Sequence, residues 1–372
     1  MQTVLHTESS LGHGGQEIRT LAEVRWLLSQ GWGALIACQP DSPLLGEAKA
    51  SAIPVEPVRM RGATDVGALL RLRRLMRERA VSVVHTHSSV DSWLAGAAAK
   101  SLGLPLVRTR HVSIPIGRQR ALVYRLADRI ITSGESVRSI VIASGIAPER
   151  VVSISAGVDG ERFHAGVSGN PVRDELGLGR APVVGLVANI RGSKGHNIFL
   201  EAARAVVASE PAARFLIVGD GVGFDEVSRR VRDMGLDAHV RLTGFRRDIP
   251  EVMAALNVLV LPSIRSEAIP QVIPQALAVG TPVVASTVGG SPELIRDGEN
   301  GRLVPPGDAK ALADAVLALL GDPERARAMA RAGQALIRER YSIDATMTRT
   351  SAVYRELLDA GPRRRRPTAR PS

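Results

Sequence analysis

The sequence predicts an α/β protein built from two doubly wound domains. At 372 residues the chain is longer than one hydrophobic core normally allows, and 45% of its residues are apolar, so two domains of about 150 to 200 residues are expected. Short apolar runs alternate with amphipathic stretches throughout, which is typical of helices that cover a parallel sheet. A second cycle of this alternation begins near residue 181.

Thirteen strand-like runs carry this prediction, seven in the first cycle and six in the second. The first-cycle runs are TVLHTE (3–8), GALIACQ (33–39), VEPVRM (55–60), VSVVHTHS (81–88), PLVRTRH (105–111), RIITS (129–133) and VVSISAG (151–157). The second-cycle runs are APVVGLVANI (181–190), RFLIVGD (214–220), VRLTGF (240–245), VLVLPS (258–263), PVVAS (282–286) and GRLVPPG (301–307). Helical patterns separate most of them.

The clearest helical pattern is GQEIRTLAEVRWLLSQG at residues 15–31. Its apolar face is predicted to hold Ile18, Leu21, Val24 and Leu28, and Gly31 ends it.

The weakest patterning lies in the Gly-rich stretch 164–181, which is the predicted linker. We therefore expect an N-terminal Rossmann-like domain over 1–165, a linker over 166–180 and a C-terminal Rossmann-like domain over 181–340. A helical pattern over 341–360 and a basic, disordered tail over 361–372 follow.

Composition narrows the class of protein. The single Cys38 excludes a disulfide framework and a Cys-rich zinc site, and neither a leader pattern nor an apolar run of about 18 residues is present, so a cytoplasmic protein is expected. The net charge is +11, with the excess in residues 1–170 and in the tail. An aromatic content of 3% argues against nucleic acid as a partner.

Two cations follow the first strand of the second cycle. Arg191 and Lys194 lie there, with Gly192 and Gly195 at the entrance to a helix. Ligands of doubly wound sheets bind beyond the carboxyl ends of the strands, and a helix start favours an anion, so these residues fit a phosphate site. The same residues are equally compatible with two solvated cations on a loop that binds no phosphate.

A lone acid, Glu267, follows a later strand. Pro270 suits the first turn of the next helix, which places Glu267 in the preceding loop, and Gln275 then lies about a turn further on. Because an interior proline costs about 3 kcal/mol, Pro274 predicts a kink or a late helix start. Glu267 fits sugar or ribose hydroxyls, but helix capping is equally compatible with its spacing.

Several histidines and one glycine pattern remain. His85 and His87 share a strand face and could join Asp91 in a metal site, but a hydrogen-bonded place beside an acceptor is favoured and no metal is expected. His13 is a candidate acceptor-side residue by position. The sequence GDGVG (219–223) imitates a dinucleotide fingerprint, but Phe224 replaces the last glycine, so a tight turn is predicted.

Several segments together resemble the retaining glycosyltransferases of family 4, which have the GT-B fold of two Rossmann-like domains facing a central cleft. The segments are GHGGQEIRTLAEVRWLLSQG near the start, TRH (109–111), ADRIITSGESVRSIVIASGIAPERVVSISAGVDGERF (127–163), RGSKGH (191–196), VRLTGFRRDIPEVMAALNVLVLPS (240–263) and PSIRSEAIPQVIPQALAVGTPVVASTVGGSPELIRDGENGRLVPPGD (262–308).

The resemblance implies roles for the donor-side residues. Arg191 and Lys194 look like the cations that neutralise the donor diphosphate. Glu267 looks like the first acid of the family's Glu-x7-Glu motif, which contacts the sugar, whereas Gln275 replaces the second acid, usually a ribose ligand. Ala268 stands where the family usually has Gly.

The remaining implied residues surround these. Ile269 and Gln271 belong to the same donor segment. The backbone at Phe245 and Arg246 resembles the segment that holds the nucleotide base. The resemblance also assigns Gly14 and Gly15 to the glycine pair near the reaction centre, and His111 to the sugar contact on the acceptor side.

A metal-independent, cofactor-free glycosyltransferase is therefore expected. It would use a nucleotide-diphosphate sugar and a glycan or lipid-linked acceptor in envelope polysaccharide or lipopolysaccharide synthesis. Arg-rich patterns at 66–80 and 117–129, with the tail, suggest peripheral docking on the anionic inner face of the cytoplasmic membrane. The alternative is a non-catalytic protein on the same scaffold that binds polyanions or a membrane surface.

Overall fold

The computed structural model describes residues 1–12, 14–265 and 268–361, with the backbone alone for residues 118 and 119. The chain divides into two compact units. The first contains Met1–Ser155 and the chain from Thr346 onward, and the second contains Ala156–Ala345.

The first unit is built on a parallel sheet of seven strands. Its strands are β1 (Thr3–Glu8), β2 (Gly33–Cys38), β3 (Val55–Pro57), β4 (Val83–Thr86), β5 (Leu106–Arg110), β6 (Arg129–Thr132) and β7 (Val151–Ser153). Their spatial order is β3-β2-β1-β4-β5-β6-β7. Its helices are α1 (Gly15–Ser29), α2 (Pro43–Ala50), α3 (Val66–Glu78), α4 (Ser89–Ser101), α5 (Arg118–Leu126) and α6 (Glu135–Ala143).

The second unit repeats this architecture with a six-stranded parallel sheet. Its strands are β8 (Val183–Val187), β9 (Arg214–Val218), β10 (Val240–Gly244), β11 (Val258–Leu261), β12 (Val283–Ser286) and β13 (Arg302–Val304). Their order is β10-β9-β8-β11-β12-β13. Its helices are α7 (Asn170–Glu175), α8 (His196–Ser209), α9 (Phe224–Asp233), α10 (Ile249–Ala255), α11 (Val272–Val279), α12 (Ser291–Leu294), α13 (Ala309–Gly321) and α14 (Pro323–Leu336).

The last helix, α15 (Ile343–Asp359), belongs to the first unit from Thr346 onward. Its Tyr354 is fully buried, and the Tyr354 ring meets the Trp32 ring edge-on at 6.2 Å between centroids. This buried ring anchors the C-terminal helix to the body of the first unit.

All thirteen predicted strands are confirmed, and most end earlier than their apolar runs. The central strands are buried on both faces, as all-parallel sheets require. The residues that follow each strand belong to loops at the carboxyl edge of the sheet, where functional side chains of this architecture are found.

The unit boundary differs from the predicted one. The first unit ends at Ser155, not at residue 165, and residues 170–175 of the expected linker form α7 of the second unit. Val172 in α7 is 1% exposed and packs into the second unit's core. The Gly-rich composition around α7 therefore masked an ordered element.

Two local predictions also need correction. In α1 Ile18 is 52% exposed, whereas Arg19 and Glu23 are buried. Pro270 was predicted in the first turn of α11, but it precedes this helix, which begins at Val272. The late helix start that Pro274 predicted is confirmed, since Pro274 lies in the first turn.

No helix among the described residues is both long enough and apolar enough to cross a membrane. The predicted tail lies almost entirely outside the described residues.

Candidate functional site

Each sheet has a switch point where the strand order reverses direction. In the first unit it lies between β1 and β4, and in the second between β8 and β11. Crevices beyond the strand ends at such points are the usual ligand sites of doubly wound folds. The predicted site residues fall mainly on the loops at these two points.

In the second unit, the loop after β8 and the loop after β11 are joined. Gly195 has a left-handed backbone with φ of 73°, and a Cβ there would lie 1.9 Å from the carbonyl oxygen of Pro262. The backbone N–H of Ile264 donates to the carbonyl of Ser193 at 2.9 Å. The structure thus brings the Arg191–Lys194 loop against the segment that leads to Glu267.

The C-terminal part of that segment also packs closely against the rest of the second unit. A Cβ at Gly290 would lie 2.1 Å from the carbonyl oxygen of Ala268, so the chain at Gly290 packs closely against this segment. Ile269 is 9% exposed. Glu267 lies outside the described residues, but Ile264 and Ala268 on either side of it are fixed at the switch point.

The predicted ribose ligand Gln275 lies in α11, one helical turn after Gln271. Its backbone N–H donates to the carbonyl of Gln271 at 3.2 Å, and both side chains are partly exposed. The two amides therefore lie on the same face of this helix start.

The residues predicted to form the phosphate site surround the start of α8. Residues Gly192–Lys194 form a single 3₁₀ turn, with Arg191 exposed and Lys194 partly exposed. His196, the first residue of α8, is 4% exposed, and burial followed by the charge of Lys194 lowers its pKa to about 4. A neutral His196 leaves the positive charge of this turn on Arg191 and Lys194, beside the N–H groups of a 14-residue helix.

The pattern GDGVG forms a tight turn, as predicted. The N–H of Gly219 donates to Gly244, and the N–H of Gly223 donates to Ile190. These amides bond protein carbonyls, so they are not arranged as a dinucleotide cradle.

The two residues predicted to lie beside the nucleotide base differ in whether their side chains already have partners within the protein. Phe245 is 72% exposed. The Arg246 side chain, in contrast, forms two 2.7 Å bonds to Glu175 and a further ion pair with Asp248. A contact from this segment to a base would therefore come from its backbone or from Phe245.

In the first unit, Gly14 and Gly15 begin α1. The N–H of Gly14 donates to the buried Glu17 carboxylate at 2.8 Å. A Cβ at Gly15 would meet nothing within 4 Å, and Gly15 does not have a positive φ. Packing within the described chain does not require a glycine at this position. His13 lies outside the described residues.

A buried acid organises the loop beside α1. Asp91 accepts bonds from Thr7 and Ser9 and from the backbone N–H groups of His87 and Ser88, at 2.9–3.1 Å. Burial, then the charge of Glu8, raises its pKa to about 7. Asp91 therefore positions the β4–α4 turn instead of joining His85 and His87 as a third ligand.

Four histidines converge at the switch point of the first unit. His6 pairs with His85 in the β1–β4 register, and His87 and His111 follow β4 and β5. His6 Nδ1 lies 3.0 Å from His87 Nε2, and His87 Nδ1 lies 3.2 Å from His111 Nε2. His85 bonds Tyr354 through Nδ1 and Thr109 through Nε2, both at 2.6 Å.

All four imidazoles have lowered pKa values, chiefly because burial disfavours the charged ring. Arg19 adds to this effect at each ring. The acceptor-side candidates His85 and His87 are 0% and 3% exposed, with both ring nitrogens of each hydrogen-bonded, so they occupy a supporting position. His111 is partly exposed.

Sequence reasoning missed His6, Arg19, Glu23 and Tyr354. Arg19 Nε donates to Glu23 Oε1 at 2.7 Å, and Arg19 Nη1 donates to the carbonyl of Ile154 at 3.1 Å. The i,i+4 spacing of Arg19 and Glu23 was the available signal, but on a helix this spacing normally marks a solvated pair.

His6, Glu23, His85 and His87 also have metal-ligand spacing, since one ligand atom from each lies within 4.8 Å of the others. The bonds described above already use both nitrogens of His85 and His87. Arg19 holds the Glu23 carboxylate, and its buried positive charge would repel a cation. These contacts favour a hydrogen-bonded network over an ion site.

Comparison with known proteins agrees with this architecture. The family model described as Glycosyltransferase Family 4 matches residues 13–162, and the model described as Glycosyl transferases group 1 matches residues 181–322.

Individual relatives match along most of their length. D-inositol 3-phosphate glycosyltransferase 1 of Catenulispora acidiphila is 30% identical, with 75% of this chain and 73% of the relative covered. The UDP-Gal:alpha-D-GlcNAc-diphosphoundecaprenol alpha-1,3-galactosyltransferase of Escherichia coli is 27% identical, with 82% and 84% covered.

A solved structure shares the fold. HepE of Anabaena, crystallised in complex with UDP, superimposes with a TM-score of 0.85 at 22% identity and covers 96% of this chain and 100% of its own. The two parallel sheets and this likeness establish the GT-B fold. With both family models matched and a 30% identical relative covered over 73% of its length, the chain belongs to the group 1 glycosyltransferases of family 4.

Proposed function

We propose that this glycosyltransferase moves a sugar from a nucleotide-diphosphate sugar to a glycan or lipid-linked acceptor, with retention of anomeric configuration and without a metal. The observation that carries this proposal is the union of two loops in the second unit. The cationic turn at Arg191–Lys194 is hydrogen-bonded to the segment that contains Glu267.

The donor diphosphate is assigned to the cationic turn. Two side-chain cations and the N–H groups at the start of α8 offer stabilisation to an anion before the reaction begins. Gly192 leaves open space beside them, since a Cβ there would meet nothing within 4 Å. The UDP bound to the HepE structure supports a nucleoside diphosphate as the ligand class.

The sugar and the ribose are assigned to the Glu267 segment and α11. A carboxylate accepts hydroxyl hydrogen bonds strongly, so Glu267 is the proposed ligand of the transferred sugar. Gln275 keeps an acceptor oxygen for the ribose, although without the charge of an acid. Ala268, Ile269 and Gln271 complete the proposed donor segment.

The proposed reaction forms the new glycosidic bond as the sugar–phosphate bond breaks on the same face of the sugar. The acceptor hydroxyl loses its proton to the departing diphosphate oxygen, so the chain needs no carboxylate base. Arg191 and Lys194 stabilise the charge that grows on the diphosphate. A positioned charge of this kind typically contributes about 3–4 kcal/mol to the transition state.

The acceptor is assigned to the first unit. The open space beside Gly15 would let the acceptor approach the backbone closely, and His111 is the proposed contact to the sugar. The E. coli relative is named for a diphosphoundecaprenol-linked acceptor, which supports a lipid-linked glycan in envelope polysaccharide synthesis. Neither a cofactor nor a nucleic acid is part of this proposal.

The proposed location is the cytoplasm, with reversible docking on the anionic inner face of the membrane. The segment after β5 and the start of α5 expose three apolar residues, namely Val112 at 48%, Ile114 at 62% and Leu122 at 48%. Exposed Arg120 and Arg125 accompany them. Basic residues near an anionic surface contribute about 1 kcal/mol each at low salt, while the apolar residues can enter the interface.

Transfer is tested with a panel of UDP-, GDP- and dTDP-sugars, by following release of nucleoside diphosphate with and without lipid-linked glycan acceptors. Turnover of one donor, abolished in Lys194→Ala and retained in Lys310→Ala, is the expected result; Lys310 is an exposed control on α13. Donor binding without turnover under any acceptor would instead favour the alternative, a non-catalytic surface-binding protein.

Docking is tested by co-sedimentation with anionic and neutral liposomes at low and high salt. The full chain, a chain that ends at Gly361 and an Arg120→Glu/Arg125→Glu variant are compared, with the exposed Arg229→Glu of the second unit as the control. Salt-sensitive binding to anionic vesicles that falls in the first-unit variant supports docking. Binding that ignores lipid charge and salt contradicts it.

A further inference from the structure

Three imidazoles form a continuous hydrogen-bonded row at the first unit's switch point. The row runs from His6 through His87 to His111, with nitrogen–nitrogen distances of 3.0 and 3.2 Å. His6 is fully buried at one end, whereas His111 is partly exposed at the other. The row therefore connects the interior of the unit with its surface.

A row of neutral imidazoles must have a direction. Each neutral ring carries one N–H and one bare nitrogen, so each contact has one donor and one acceptor. Once the proton of His6 is placed, the positions of the protons on His87 and His111 follow. The lowered pKa values of all three rings are consistent with this neutral state.

Glu23 determines the direction at the buried end. Its Oε1 is held by Arg19, and its Oε2 lies 3.8 Å from His6 Nδ1. A proton on His6 Nδ1 faces this carboxylate and donates to His87. The opposite tautomer places the proton on His6 Nε2, which is buried and has no partner among the described residues. Nε2 is unpaired in either tautomer, so the nearby carboxylate decides between them: a proton on Nδ1 is attracted by Glu23, and a proton on Nε2 faces no charge of this kind.

The consequence reaches the exposed end. His87 accepts at Nε2 from His6, so its own proton lies on Nδ1 and is donated to His111 Nε2. His111 must then carry its proton on Nδ1. Within the described residues, no hydrogen bond engages His111 Nδ1, so this N–H is available to a ligand.

We propose that His6 and His87 are positioning residues that hold His111 as a neutral Nδ1–H donor for an oxygen atom of a bound sugar. This assignment rests on the proposed function for the identity of the ligand, but not for the tautomer itself. Because such a donor is directed at an oxygen acceptor, the site discriminates against a sugar that lacks this oxygen. The row also connects α1, through Glu23, to the ligand contact at His111.

The tautomers are measured directly by long-range ¹H–¹⁵N correlation NMR on the full chain labelled with [¹⁵N]histidine, at pH 7. His111→Asn identifies the His111 signals. The expected result is a proton on Nδ1 and a bare Nε2 at His111, with the same tautomer at His6 and His87. A charged His111, or a proton on His111 Nε2, would overturn the proposal. So would metal bound in stoichiometric amount, because an ion on His6 Nδ1 or His87 Nε2 would replace their hydrogen bond.

Variants at residue 87 test whether His87 sets the tautomer of His111. His87→Gln keeps an N–H donor and is expected to keep His111 in the Nδ1–H tautomer. His87→Leu removes the donor, so a mixture of the two His111 tautomers is expected. His164→Asn in the second unit serves as a control that leaves the three signals unchanged. If His87→Leu does not fold, an altered His111 tautomer in the Gln variant, or an opposite tautomer in the wild type, still contradicts the proposal.

Kinetics separate this proposal from the proposed function. With the active donor, kcat/KM is expected to fall about 3- to 10-fold in His87→Leu and to recover in His87→Gln, as for loss of one neutral hydrogen bond. Equal kcat/KM in the Leu variant and the wild type would overturn the positioning role. A protein with the expected tautomers but no transfer activity would refute the proposed function and leave the tautomer assignment intact.

Discussion

The backbone N–H of Ile264 donates to the carbonyl oxygen of Ser193 at 2.9 Å. This bond joins the turn between Arg191 and Lys194 to the segment that contains Glu267. A donor diphosphate and its sugar would therefore be held by a single connected surface of the second unit. Its geometry depends on Gly195, which has no Cβ to keep Pro262 away.

Loss of either cation of this turn is expected to impair catalysis without unfolding the unit. Arg191→Ala and Lys194→Ala should each lower kcat about 100- to 1,000-fold, since both charges are proposed to stabilise the departing diphosphate. Steady-state kinetics on the active donor measure this, and Arg204→Ala, an exposed cation further along α8, is the control. Near-wild-type rates in both variants would remove the phosphate assignment.

Two glycines of the same turn are expected to behave differently. Gly195→Ala places a Cβ against the Pro262 carbonyl in a left-handed backbone, which alone costs about 1–2 kcal/mol, so the free energy of unfolding should fall by at least that amount. Gly192→Ala meets open space and should leave stability nearly unchanged. Urea unfolding of both variants provides the measurement. Equal stabilities would show that the two loops are not packed as described.

The amide at residue 275 is expected to be replaceable by an acid but not by an apolar side chain. Gln275→Glu should retain activity, because it restores a stronger hydroxyl acceptor. Gln275→Leu leaves ribose hydroxyls unpaired and should raise the donor KM about 5- to 10-fold. Titration with the nucleoside diphosphate alone checks the effect on binding. An unchanged affinity in the Leu variant would place Gln275 away from the nucleotide.

Acidification is expected to destabilise the first unit through its buried histidines. Burial lowers the pKa of His6 from 6.5 to about 4, so the folded state binds fewer protons than the unfolded chain between these values. Its contribution to stability is fully present above pH 6.5 and is lost as the pH falls towards 4. At pH 5 the loss is about 2 kcal/mol for this one group.

Urea unfolding at pH 7.5 and pH 5, for the wild type and His6→Asn, isolates that contribution. The raised pKa of Asp91 acts in the opposite direction, because its stability contribution falls as the pH rises. Asp91 is present in both proteins, so the comparison cancels most of its effect. A pH-dependent loss of the same size in both proteins would refute the prediction. His164→Asn, an exposed histidine of the second unit, controls for the substitution.

The sequence alone determined the two α/β cycles, because a strand buried on both faces needs a run of apolar residues and a covering helix needs an apolar stripe. It could not reveal α7, because a six-residue helix within a Gly-rich stretch has too little periodicity to detect. It also marked the Arg191–Lys194 turn and the Glu267 segment, since polar residues directly after buried strands lie at the ligand edge of the sheet.

Only the tertiary structure decided the interior of the first unit. In α1, Arg19 and Glu23 are buried and Ile18 is exposed, which contradicts the predicted apolar stripe. The two charges can be buried because they pair with each other and because Arg19 also donates to a carbonyl 135 residues away. His6 and His87 are likewise separated by 81 residues and meet because β1 and β4 are neighbours in the sheet. Apolar periodicity records burial by hydrophobic transfer, whereas a buried polar group is stabilised by partners that only the fold brings within hydrogen-bonding distance.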